Sequence, residues 1–132
     1  MKRAGFTMIE LIFVIVILGI LAAVALPRFI GVSEQAEASR CESFVGTLNR
    51  TVLPALWSNM VLNDLNETTA FTDVTMGDQI TVPVNCGSMN DYATAVNAGT
   101  GFTVTVGDGT YEVNQSVAPS NTESPILGWT KQ

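Results

Sequence analysis

From Leu11 to Leu26 the chain carries no charged residue. With Phe6 to Ile9 added, that run forms a helix about 30 Å long at ~1.5 Å per residue, the thickness of a bilayer's hydrocarbon core. A segment of this kind can cross a membrane, and its orientation follows from its flanks. Lys2 and Arg3 precede it, which holds the amino end in the cytoplasm and exports whatever follows Pro27.

A second reading accounts for the same stretch. Lys2 and Arg3 can serve as the basic region of a signal peptide, Leu11 to Ala22 as its apolar region and Ala23-Val24-Ala25 as the cleavage site. A soluble secreted domain beginning at Leu26 would then result. Glu10 speaks against this, because a signal peptide has no use for an acid between its basic and apolar parts. Within a span, an acidic residue costs roughly 2.5 to 3.5 kcal/mol at the helix centre, less near an interface, and such residues usually have a partner. No Lys or Arg lies between Arg3 and Arg28. A cut between Gly5 and Phe6, however, would create an α-amino group one helical turn before Glu10, supplying the missing cation and offsetting the charge at the helix amino terminus.

The basic leader ending in Gly5, then Phe6-Thr7-Met8-Ile9-Glu10-Leu11, the apolar helix and Leu26-Pro27 together resemble the amino terminus of type IV pilins and type II secretion pseudopilins. The resemblance implies cleavage after Gly5 by a prepilin peptidase and N-methylation of Phe6. It further implies pairing of Glu10 with the amino terminus of a neighbouring subunit as identical and related subunits join a helical filament. The expected organisation is a leader peptide at 1–5, a transmembrane and filament-core helix at 6–27 and an exported pilin-like domain at 28–132. The chain would sit first in the bacterial inner membrane with its carboxyl-terminal domain periplasmic, then in a periplasmic or extracellular filament. A minor tip subunit or adhesin-like binding module would share this amino terminus.

Composition narrows the function from another side. The net charge of -6 argues against direct nucleic-acid binding, which needs clustered cations along the phosphates. Histidine is absent and the two cysteines are far apart, so the commonest general base and a zinc-like spacing are both missing. No catalytic residue, cofactor or metal is expected, and the protein is read as structural rather than enzymatic. Asn63-Asp64-Leu65-Asn66-Glu67 and the Asp108 turn carry oxygen ligands, but no spacing matches a calcium loop.

The rest of the chain predicts an α+β fold, a long helix packed on a small antiparallel sheet. Gly19, Ala22, Ala23 and Ala25 are small enough for close helix contacts. Pro27 lacks the N–H that would bond the Ala23 carbonyl, so a kink or local melting is expected between Gly19 and Pro27. Beyond it, Cys41, Phe44, Val45, Leu48, Val52 and Leu56 recur at helical spacing, with Pro54 expected to end or kink the helix near Leu53. From about Asn63 turn residues and Thr-Val alternation suggest strands and loops. Ile80, Val82 and Val84 read as an irregular or edge strand. Residues 102–106 and 110–113 around Gly107-Asp108-Gly109 read as a hairpin. Asp91 to Asn97 is ambiguous, and Ala118 to Gln132 reads as an irregular tail in which Ile126, Leu127 and Trp129 are candidates to dock back on the sheet. Cys41 shares the apolar helix face and Cys86 the parity of Ile80, Val82 and Val84, so the two are expected to meet as a disulfide, which an exported location permits.

Overall fold

A computed structural model describes residues 5–132. Of the expected leader, only Gly5 falls among them; the rest lies outside the described residues. The chain divides into two compact units, Met1–Gln35 and Ala36–Gln132. The first helix, α1, Met8–Thr47, belongs partly to each. In the first unit α1 is helical through Gly19 and Pro27.

The second unit is α+β, as expected. Along its part of α1 and just beyond, Cys41, Phe44, Val45, Leu48, Val52 and Leu56 are all buried, so the spacing in the sequence marks the core face correctly. The helix does not end near Leu53. A π turn, Leu48–Val52, closes when the Leu53 N–H bonds the Leu48 carbonyl, and α2, Leu53–Leu62, follows with Pro54 in its first turn. Proline is tolerated there because its missing donor falls where α2 begins. The chain therefore changes its helical phase instead of stopping.

The stretch after Asn63 departs from expectation. Two short helices, α3, Glu67–Ala70, and α4, Asp73–Gly77, occupy it. Asn66 and Thr72 start them by accepting the backbone N–H groups of Thr69 and Thr75 at 3.0 Å each. Ile80, Val82 and Val84 form no strand. Pro83 removes a donor, Asn85 adopts φ 68°, and Val84 is 80% exposed, so the apparent alternation has no sheet partner. The ambiguous 91–97 stretch lies in a helix, α5, Met89–Ala98. A reciprocal capping box begins it, the Ser88 side chain accepting the Asp91 N–H while Asp91 accepts the Ser88 N–H, and Gly99 ends it at φ 67°.

The hairpin is present as β1, Phe102–Val106, and β2, Gly109–Val117, with Val106 opposite Gly109. Its turn is thus the two residues Gly107-Asp108, with Gly107 at φ 57°. The expected irregular tail instead supplies a third strand, β3, Ile126–Lys131, antiparallel to β2, giving sheet order β1-β2-β3. Val104, Val106, Val113 and Leu127 share the buried face of the sheet. Two contacts lock the helices to β3 and to the loop before it. The Asn49 side chain accepts the Leu127 N–H at 2.9 Å and donates to the Leu127 carbonyl at 2.8 Å, and Trp57 donates its indole N–H to the Ser120 carbonyl at 2.7 Å.

Cys41 and Cys86 are joined, their Cα atoms 5.3 Å apart. Cys86 reaches Cys41 from a turn rather than from the strand that parity suggested. Tyr92 of α5 donates its hydroxyl to the Cys86 carbonyl at 2.8 Å and packs edge-on against both Phe44 and Phe102. Burial, and secondarily the neighbouring Asp91 carboxylate, push the Tyr92 phenol well above its usual range, so it keeps the proton it donates.

Candidate functional site

The first unit places its chemistry along one helix. Thr7 precedes α1 as its amino-terminal cap: its carbonyl accepts the N–H groups of Glu10 at 3.1 Å and Leu11 at 3.3 Å, and its hydroxyl accepts the Glu10 N–H at 3.4 Å. Glu10 is therefore the third residue of the helix, where a carboxylate also interacts favourably with the positive end of the helix dipole. Gly5, Phe6, Thr7 and Glu10 thus lie within one cap and one turn. The role of Thr7, absent from the sequence expectations, is legible in Thr7-Met8-Ile9-Glu10, a Thr-x-x-Glu start signal.

From Met8 to Pro27 the helix is long and apolar enough to cross a membrane, and none of that stretch is buried. Phe6 is 78% exposed, Leu26 68%, and even Ile17, among the least exposed of the large side chains, 40%. An isolated helix of this composition is not a stable surface in water, where contiguous apolar patches mark interaction sites. Such a surface suits lipid or other apolar helices. Gly19 has open space where a Cβ would stand, so no contact within the chain requires glycine there. Among the described residues no cation pairs with the Glu10 carboxylate.

The distal unit gathers no comparable chemistry. Among the described residues no group of three or more His, Cys, Asp and Glu side chains could hold a metal ion. Asn66, one of the oxygen-bearing residues noted in the sequence, spends its side-chain oxygen on Thr68 and Thr69 as a helix cap.

Comparisons with known proteins agree with the amino-terminal reading. Residues 1–26 match the family model of the prokaryotic N-terminal methylation motif. The chain is 49% identical over 43 residues to the type IV narrow pilus major component PilA5 of Thermus thermophilus, a stretch covering 33% of this chain and 37% of that protein. The chain thus spans little more than a third of the length of that relative. No solved structure matches it. The resemblance to the type IV pilin family is borne out by the motif and by this relative.

Proposed function

We propose that this chain, carrying the amino-terminal motif of the type IV pilin family, is a structural subunit of a type IV pilus or pseudopilus, not an enzyme. The observation that carries the reading is the exposed apolar helix with a single carboxylate in its first turn and, among the described residues, no cation beside it. Before assembly the helix holds the chain in the bacterial inner membrane, and in the filament the helices of identical and related subunits replace lipid around it. A prepilin peptidase cuts between Gly5 and Phe6, and Phe6 is N-methylated. Its amino group then meets Glu10 of an adjacent subunit. That pairing sets the axial register, because a buried carboxylate and a buried ammonium are each costly alone and tolerable together. Gly19 and Pro27 serve as the points where the helix opens or bends in the filament, since Pro27 leaves the Ala23 carbonyl without its helical donor and glycine is a poor helix former. The relative's role as a major pilus component supports a repeating shaft subunit over a tip adhesin.

Shearing filaments from the cell surface and quantifying this chain against the other filament proteins tests the shaft assignment. As a repeating subunit it should dominate the sheared fraction and label along the whole filament. Labelling confined to one end, with trace abundance, would assign it to the tip.

A further inference from the structure

The outer strands of the sheet, β1 and β3, are both edges, and they are treated differently. In an antiparallel pair only alternate residues turn their backbone N–H and C=O toward the neighbouring strand. The Gln132 N–H bonds the Thr110 carbonyl at 2.9 Å, which fixes that alternation. Thr110, Glu112 and Asn114 face β3, while Gly109, Tyr111 and Val113 face β1. On β1, therefore, Phe102, Val104 and Val106 bond inward, and Thr103 and Thr105 present their backbone groups outward.

On β3 the outward groups of Leu127 are occupied by the Asn49 side chain, which imitates a strand neighbour. On β1 nothing does the same. Among the described residues no hydrogen bond reaches the outer side of Thr103 or Thr105, and both residues are exposed. The strand reads Phe-Thr-Val-Thr-Val, with no charge, no proline and an unbroken register against β2. Lysine, proline and bulges are the devices that keep natural edges from pairing, and β1 has none of them.

We propose that β1 pairs edge to edge with β1 of a second copy of this chain, antiparallel about a two-fold axis. The occupant follows from self-complementarity. With Val104 opposite Val104 of the partner subunit, Thr103 faces the partner's Thr105, and each outward N–H meets an outward C=O. Threonine lies against threonine on the outer face and valine against valine on the inner one, favourable cross-strand pairs. In a chain of net charge -6, this uncharged strand brings no like charges together. A two-fold pairing closes on two copies, so it cannot continue along one filament. Resting on the filament reading in this respect alone, it joins subunits of neighbouring filaments side by side.

Two variants of the full-length protein test the pairing. Thr103→Pro removes an outward N–H that the fold does not use, and Thr103→Lys with Thr105→Lys sets lysines opposite one another across the axis while leaving Glu112 as an in-chain partner for Lys at 103. In detergent micelles, sedimentation across a concentration series should show a dimer for the unmodified chain. Both variants should weaken it by about tenfold or more, the proline by removing two backbone bonds across the axis and the lysines by like-charge repulsion, with unchanged thermal unfolding by tryptophan fluorescence. A monomer at every concentration, or dimers equally strong in both variants, would overturn the proposal. In sheared preparations the unmodified filaments should lie in bundles and the lysine variant should give single filaments in equal yield. Bundles that persist in the lysine variant would overturn the lateral role. Absence of this chain from filaments altogether would count against the filament reading, while the micelle result would still decide the pairing.

Discussion

Replacing Glu10 with leucine is expected to abolish filaments, or nearly so, while leaving a processed protein in the membrane. Removing a carboxylate from the span leaves insertion intact or improved, because the polar group was unfavourable there. Cleavage should also survive, since Gly5 and Phe6 are unchanged and the Thr7 cap on α1 uses backbone atoms of residue 10, not its side chain. Assembly carries the whole loss. Without Glu10, the amino group of Phe6 on a neighbouring subunit enters an apolar core unpaired, and a buried charge stripped of its partner costs ~3 to 5 kcal/mol. Repeated at each interface, such a deficit is not recoverable by additional helix packing, because the competing state already covers the helix with lipid and the gain from packing is small. The comparison to make is the yield of sheared filaments against the amount of cleaved chain in the membrane. Normal filaments from the leucine variant would show that Glu10 is only an interfacial charge.

Removing the disulfide should have the next largest effect, and it falls on the distal unit. The bond spans 45 residues of sequence, and closing a loop of that length contributes about 4 kcal/mol in the chain-entropy model. For a domain whose total stability is of the order of 5 to 15 kcal/mol this is a large share. Cys41→Ala with Cys86→Ala should lower the thermal midpoint by roughly 15 °C or more, at ~4 to 8 °C per kcal/mol for a domain of about this size. The readout is direct because both tryptophans, Trp57 and Trp129, lie in the distal unit. The Tyr92 hydroxyl still holds the Cys86 carbonyl in the variant, so the turn is not left wholly free. A shift of only a degree or two would show that the packing of α5 against α1, rather than the bond, fixes that turn.

The two parts of the molecule were unequally legible in the sequence. The apolar helix carries its own signal, because its length, its lone acid and its flanking cations are local properties. The same holds for the buried face from Cys41 to Leu56, whose three- and four-residue spacing is local even though the π turn shifts the helical phase within it. The distal half was harder where tertiary contacts override pattern. Ile80, Val82 and Val84 alternate like a strand, yet Pro83 and the left-handed Asn85 direct the chain into a turn that meets α1 through Cys86. The disulfide was therefore expected for a reason half correct, with the helix face right and the strand parity wrong. Other misses were readable. Ser88-Met89-Asn90-Asp91 followed by Gly99 is a helix with both ends marked, and Thr72-Asp73-Val74-Thr75 is a smaller case of the same logic. The role of Asn49 could not have been found from sequence, since its partner, Leu127, is brought alongside by the fold.

An apolar helix retained as an assembly element and one discarded as a signal leave different mature chains. Intact mass and amino-terminal sequencing of the chain recovered from sheared filaments distinguish them most directly. A retained helix gives a mature chain that begins at Phe6, carries one added methyl group on its amino nitrogen and retains Glu10. A chain that begins at Leu26, soluble and absent from the filament fraction, would contradict retention.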